Sequence, residues 1–439
     1  TLAILSIFLV NRHTRAEEDT ERIELVLSQV VGRHAPTGAS MVVVAATEVL
    51  IGVTAAVTFI LAGYPVLGSI SLAGSMLAVG LVFIGVTAAA AQFFSTGRAT
   101  TGASLMVLLV AFILRAVGDI GHNRLTWLSP IGWAQSVRSF ADERWWPLAV
   151  CVMVGAALVG GAFWLADHRD LGSGFIGSRP GRERAARSLT DPFGFALRLQ
   201  RGLIGIWMIG LFITGYVFGI IADDVDAMAR DNPQFAEVFA QMGRGSITDS
   251  YLATAMAMLG LMAGGFGIAA MLASSNEERS GHLELVLSRR VGRLRWIGSH
   301  LAIATGGTVV LMIASGLGVG VAYARVTGDV GQIPRLVRAA LVTVPAAFVF
   351  IGLVVAVFGF LPRAIMLSWV PLSVTAIVVF FGELLELPNW MRHLSPFEFL
   401  PAVPAEPLQA WPLVWLSLIG ALGVIAGMIG FHRRGIAVT

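Results

Sequence analysis

Long apolar runs separated by short polar breaks dominate the chain. The runs cover residues 1–12, 38–62, 67–95, 101–118, 146–166, 202–221, 250–273, 298–322, 337–361, 364–384 and 410–431. At ~1.5 Å per residue, about 20 apolar residues cross the ~30 Å hydrocarbon layer of a bilayer. The pattern therefore predicts an all-α polytopic membrane protein with eleven spans, the first of them short. Two of the breaks, 120–145 and 385–409, contain Pro and Trp and read as amphipathic surface segments. Trp127, Trp133, Trp145 and Trp390 within them, and Trp411 just beyond the second, suit a membrane interface.

The polar breaks repeat. Residues 17–33 read EEDTERIELVLSQVVGR and residues 277–293 read EERSGHLELVLSRRVGR. Glu17, Glu18 and Glu24 fall on Glu277, Glu278 and Glu284, and Arg33 falls on Arg293. Further along, Phe83-Ile84-Gly85 recurs as Phe350-Ile351-Gly352, Gly118-Asp119 as Gly382-Glu383 and Leu128-Ser129-Pro130 as Leu394-Ser395-Pro396. Trp146-Pro147 recurs as Trp411-Pro412 and His168-Arg169 as His432-Arg433. Six spans separate the two copies of the opening motif, so both copies lie on one side of the membrane and the halves are parallel repeats. The predicted organisation is a first half at 1–167, an Arg-rich linker at 168–201 and a second half at 202–439. Residue 1 aligns midway through a span of the second half, so a twelfth span is expected to precede it.

Composition narrows the chemistry. Hydrophobic residues make up 56% of the chain and charged residues 13%, against about 25% charged in soluble domains. All 30 basic residues are Arg. A Walker-A loop needs a Lys to reach the phosphates, so the chain is not a P-loop ATPase by itself. A Schiff-base nucleophile is excluded on the same ground. Arg in place of Lys with abundant Ala, Gly and Val suggests a GC-rich genome. Cys151 is the sole cysteine, which rules out an internal disulfide and a Cys-based metal site. The eight His are scattered, and there is no metal-ligand cluster, Ser/His/Asp signature or nucleic-acid motif. Arg residues concentrate on the side holding the duplicated motif and the linker, while Asp223, Asp224, Asp226, Asp231 and Glu237 lie on the other. By the positive-inside rule the motif and linker are cytoplasmic, and the plasma (inner) membrane of a GC-rich actinobacterium is the expected location. The linker reads as a solvated tether whose arginines could also meet anionic lipids.

Some charges fall within spans. Glu48 sits near mid-membrane, where a carboxyl is costly. It reads either as a substrate or proton site or as a hydrogen-bonded packing residue, and its repeat partner is Thr308. Arg115 and Asp119 are spaced to pair on one helix face, and Arg335 and Arg338 are placed to snorkel outward. Glu17 and Glu24 are spaced to share a helical face, with Ile23, Leu25 and Leu27 forming an apolar strip beside them.

The motif E-E-x-x-x-x-x-E-L-V-L-S-x-x-V-x-R after a span resembles the cytoplasmic loop of type-2 ABC export permeases. Together with Arg198-Leu199-Gln200-Arg201-Gly202 and the Leu-Ser-Pro segments, it is most similar to the fused twelve-span actinobacterial polyketide-antibiotic (tetronasin-transport-like) exporters. The resemblance implies two six-span halves with cytoplasmic coupling helices at about 13–37 and 273–297. These would dock two copies of a separate ABC ATPase, and ATP and magnesium would reside on that partner. Glu17, Glu18, Glu24, Arg33, Glu277, Glu278, Glu284 and Arg293 would form the coupling surface. The implied activity is efflux of hydrophobic or amphipathic antibiotics, drugs or lipids by a transport subunit that is not itself an enzyme. The pathway would be lined by the second and fifth spans of each half, which carry Met106, Met256, Met258, Met262, Met366, Trp369, Phe380 and Phe381. Asp119 and Glu383 would cap the outer end. The rival reading is a proton-coupled multidrug carrier with Glu48 carrying the proton.

Overall fold

The computed structural model describes residues 2–20, 22–120, 124–170, 172–176, 189, 191–231, 246–288, 291–382, 385 and 387–434. Among them ten helices are long and apolar enough to cross a membrane. The apolar helix α1 (Leu2–His13) precedes these. The protein is an all-α polytopic membrane protein, as its hydropathy predicts. The chain divides into two compact units, Thr1–Gly181 and Arg182–Thr439.

In the first unit α1 is followed by two short helices, α2 (Arg15–Asp19) and α3 (Arg22–Leu27). The spans α4 (Ala35–Leu61), α5 (Val66–Phe93) and α6 (Gly97–Ile120) come next, then a 3-10 turn at Arg124–Leu128, α7 (Pro130–Gln135) and the last span α8 (Trp146–Asp167). The second unit starts with α9 (Pro192–Asp231) and α10 (Ile247–Arg279), followed by the short α11 (His282–Leu287) and α12 (Arg293–Thr327). It continues through α13 (Gln332–Val342) and α14 (Val344–Phe360), a 3-10 turn at Pro362–Ser368, α15 (Trp369–Phe381), α16 (Asn389–Arg392) and α17 (Ala410–Arg433).

One boundary differs from the sequence expectation. The linker was expected to run to 201, but α9 begins at Pro192. Asp191 Oδ2 accepts a hydrogen bond from the Phe193 amide, and proline occupies the first helical position, where it suits a helix start. The Arg198 and Arg201 charges read as linker are carried on this helix. Asp191 also pairs with Arg295 at 2.7 Å.

Lipid removes the hydrophobic drive between helices, so spans associate through close backbone approach and small residues. Two glycine seams do this. In the first unit, a Cβ at Gly85 would stand 2.6 Å from Leu158 Cβ and 2.8 Å from the Gly155 carbonyl, so α5 and α8 pack nearly backbone to backbone. The repeat equivalents are Gly352 on α14 and Gly420 on α17, where a Cβ on Gly352 would run into the Gly420 carbonyl. Gly359 and Gly427 extend the second seam by two further turns.

Gly85→Ala and Gly352→Ala should each lower the thermal midpoint of the purified chain, at a cost of about 1–3 kcal/mol from overpacking. Gly102→Ala and Gly210→Ala face open space and should leave it within about 0.5 kcal/mol. Equal effects at all four positions would refute the seams.

Candidate functional site

The duplicated motif is a pair of helical steps, and not the continuous helix that would put Glu17 and Glu24 on one face. In the first copy α2 stops at Thr20, whose hydroxyl bonds back to the Ala16 carbonyl at 3.3 Å. In the second, Ser280 bonds back to Asn276 at 2.8 Å, and Gly281 turns the chain with φ +74. Such back-bonds compete with helix continuation, and the positive φ suits glycine. The matching Ser28 and Ser288 close the next turn on the Leu25 and Leu285 carbonyls.

A matched ionic clasp anchors each copy. Arg169, just beyond α8, donates to Glu18 Oε1 at 2.6 Å, to Gln92 Oε1 at the end of α5, and to the Ser173 carbonyl. Arg33 donates to the Ala166 and Arg169 carbonyls at 2.7 and 2.6 Å. In the second unit Arg434 donates to Glu278 Oε2 at 2.6 Å, and Arg293 donates to the Arg434 carbonyl at 3.0 Å. The structural partner of Arg169 is therefore Arg434, one residue on from the Arg433 of the sequence alignment. Where Arg169 has Gln92, Arg434 lies over the Phe358 and Phe431 rings at 4.9 and 5.1 Å.

The two anchors are not equal. Arg15, with a fully buried side chain, has Ser275 as its repeat counterpart and donates to Glu18 and to the carbonyls of Ser95, Gly172 and Ser173. Burial pulls its pKa below the usual arginine value, opposed by the neighbouring Glu18. Asp19 accepts the Gly97 amide at the start of α6, at 2.6 Å, whereas its counterpart Arg279 donates to the Pro362 carbonyl at the start of the equivalent segment. Glu17 lies half-exposed 3.7 Å from His13, while Glu277 is packed near His300 and accepts from Trp296 at 3.3 Å.

Four predicted coupling residues, Glu18, Arg33, Glu278 and Arg293, are thus engaged within their own units. Glu277 meets Trp296 and His300 in the interior of the second unit, while its counterpart Glu17 meets only His13, at the surface of the first. The apolar strip also divides: Ile23 and Leu283 are buried, while Leu25 and Leu285 are 74% and 69% exposed. Glu24 and Glu284 are exposed beside them. Each unit therefore turns an identical Glu-Leu pair outward from an anchored step. By sequence Arg434 reads as positive-inside charge and Arg169 as that or a lipid contact, although the His168-Arg169 and His432-Arg433 recurrence carries the signal of the clasp.

Glu48 lies fully buried between α1, α4 and α5, where Ser6 Oγ donates to its carboxyl and also reaches the Gly80 carbonyl. A Cβ on Gly80 would strike this carboxyl. The repeat counterparts of Ser6, Glu48 and Gly80 are Phe266, Thr308 and Ala347, so a polar trio in one unit is replaced by a largely apolar one in the other. Glu48 faces a packing seam. Of the pathway candidates, Met256 and Phe380 line a cavity of about 320 Å³ in the second unit. Met258, Met262 and Trp369 are half-buried, and Met106, Met366 and Phe381 are exposed. Glu383 and the Asp119 side chain lie outside the described residues. Arg115 bonds to Gln135 at 2.8 Å, Arg335 pairs with Asp249 at 2.8 Å, and Arg338 folds back on the Pro334 carbonyl.

Ten apolar helices long enough to span among the described residues, with polar steps repeated between them, define a multi-pass membrane protein. The family model described as "Multidrug efflux system permease Rv1217c, C-terminal domain" matches residues 1–165 and 189–432, and the chain belongs to that family. The multidrug efflux system permease protein Rv1217c of Mycobacterium tuberculosis (strain ATCC 25618 / H37Rv) is 35% identical over 437 residues, covering 99% of this chain and 80% of that protein.

Glu18→Gln strands two buried guanidinium groups and should cost about 1–3 kcal/mol, more than Glu278→Gln, which strands one. Glu24→Gln should be neutral, and thermal unfolding in detergent reads all three. Gly80→Ala should destabilise the chain, and Glu48→Ala should relieve most of that loss. A coupling energy below about 0.5 kcal/mol in this double-mutant cycle would refute the seam.

Proposed function

We propose that the chain is the permease of an ATP-driven ABC exporter that moves hydrophobic or amphipathic compounds out of the cell. Two copies of a separate ATPase dock from the cytoplasm, one on each step. The observation that carries this reading is the matching outward pair, Glu24-Leu25 and Glu284-Leu285, on elements held from behind by Glu18–Arg169 and Glu278–Arg434. An exposed Leu beside a carboxylate suits a cleft with an apolar floor and a basic rim, and a clasped element transmits a push instead of yielding to it. Family membership supports efflux of drugs as the activity, and resemblance to fused antibiotic exporters supports the ATP coupling. The clasp ties each step to the start of the following span and the end of the last, so a force on the step reaches three spans at once.

Leu25→Asp with Leu285→Asp should reduce permease-stimulated ATP turnover and drug export in proteoliposomes by at least about tenfold. Both side chains are exposed, so the thermal midpoint should hold. Unchanged stimulation would sink the docking surface. Export that persists without any ATPase and follows an imposed proton gradient would favour a proton-coupled carrier.

A further inference from the structure

Glu277, the first acid of the second step, is linked to a span that the clasp does not touch. His300, near the start of α12, is 1% exposed and turns Nε2 toward Glu277 Oε2 at 3.6 Å. Its Nδ1 lies 3.1 Å from the Gln200 amide nitrogen on α9. An amide nitrogen only donates, so Nδ1 accepts, and the proton of the neutral ring then sits on Nε2, aimed at the carboxylate. Trp296 Nε1 donates to the same oxygen at 3.3 Å, and its ring packs edge-on to His300 with centroids 4.9 Å apart. Gln200, His300 and Glu277 therefore form one polar line from α9 through α12 to the step.

The line carries a cost to the fold. Gln200 is 2% exposed, and its Oε1 has no hydrogen-bond partner among the described residues. A buried polar atom left unpaired is destabilising, and a leucine would fill the place without that cost.

The packing of α9 shows what the line adds. Farther along the helix, a Cβ on Gly215 would stand 2.5 Å from the Ser315 carbonyl, and one on Gly219 would stand 2.4 Å from the Val319 carbonyl. There α9 and α12 meet backbone to backbone. Gly202, Gly205 and Gly210 have open space instead. Gln200 lies ~22 Å before Gly215 at 1.5 Å per residue, beyond the reach of that seam. The Gln200–His300 bond fastens α9 to α12 at the end nearest the step.

The first unit lacks this line. The repeat counterparts of Trp296 and His300 are Pro36 and Ser40. Pro36 has no donor to offer, and Ser40 bonds to the His13 and Pro36 carbonyls at 3.0 and 2.8 Å. Glu17 is left with His13 of its own segment, at 3.7 Å.

We infer that His300 and Gln200 are positioning residues that make α9 follow the second step, so that a push on Glu284-Leu285 reaches a fourth span through Glu277. As a route for coupling this rests on the export reading above, while the link itself does not depend on it.

The test uses the full chain with its partner ATPase in proteoliposomes, with ethidium as the exported probe, and the chain alone in detergent for hydrogen exchange. His300→Phe keeps a ring against Trp296 and removes both polar contacts, and Gln200→Leu removes the far end of the line. Each should cut the ethidium exported per ATP hydrolysed by about fivefold, the order of one hydrogen bond. The double variant should fall no further, because one line is broken once. His300→Gln carries both a donor and an acceptor and should restore the ratio, which a loss of ring packing alone would not allow. In the chain alone, Gln200→Leu should speed exchange at 192–200 and at 277–287 and leave 350–359 unchanged. Gln200→Leu strands no charge, so it decides the question if His300→Phe does not fold. An unchanged export ratio in Gln200→Leu would overturn the proposal, and so would additive losses in the double variant or no recovery in His300→Gln. If exchange responds but the unsubstituted chain shows no ATP-coupled export, the export reading falls and the link remains. If coupled export stands and neither exchange nor ratio responds, the link falls alone.

Discussion

Everything else in each unit depends on how closely two spans approach, α5 and α8 in the first and α14 and α17 in the second. In hydrocarbon an apolar surface gains little by leaving lipid for protein, so packing geometry sets helix association. Gly85 against Gly155, and Gly352 against Gly420, let α5 meet α8 and α14 meet α17 with no side chain between them. That approach also fixes where the chain emerges from the last span. Gln92 at the end of α5 is then within reach of Arg169, and Phe358 at the end of α14 lies beneath Arg434. The seam therefore positions the clasp, and the clasp positions the step.

A charge held this way differs from a charge on a solvated loop. Exposed ion pairs contribute roughly 0–1 kcal/mol, and loops held only by them yield easily. Glu18 and Glu278 are mostly buried and each accepts charge-assisted bonds from arginine. Losing either bond would leave a poorly hydrated charge, so the step is kept in one orientation. That orientation buries Ile23 and Leu283 and turns Leu25 and Leu285 outward. The same six-residue run thus supplies both an anchor and a surface.

All of the spans were legible in the hydropathy pattern because ~20 apolar residues in a row admit few other structures. What escaped were features decided across long separations or by single backbone turns. Glu18 and Arg169 lie far apart in the chain, and both had local explanations as motif acid and positive-inside base. The expected face joining Glu17 to Glu24 failed because Thr20 ends α2, a hydroxyl effect that charge spacing does not register. The start of α9 was placed late because Arg198 and Arg201 resemble linker composition, although Asp191-Pro192 is a helix-start signal. Glu48 was legible as anomalous, but its setting needed Ser6 and Gly80, on two other spans.

Comparison of the halves separates the features that recur from those that do not. The glycine seam, the Arg–Glu clasp, the back-bonding hydroxyl and the outward Glu-Leu pair occur twice with matched contacts. The differences lie around them. Arg15 adds a second guanidinium and four hydrogen bonds to the first anchor, whereas the second relies on one guanidinium stacked over two rings. Directional bonds to fixed carbonyls resist rotation, but a cation over an aromatic face can slide with little loss. On the proposed reading, two identical motors would press equal surfaces backed by unequal stiffness, and the first unit would follow its motor more rigidly than the second. The polar trio at Ser6, Glu48 and Gly80 adds to this, because it ties α1 to α4 and α5 where the second unit has only apolar packing and a Thr308 hydroxyl turned to its own helix. Asymmetry is thus built into the halves themselves, whatever docks on them.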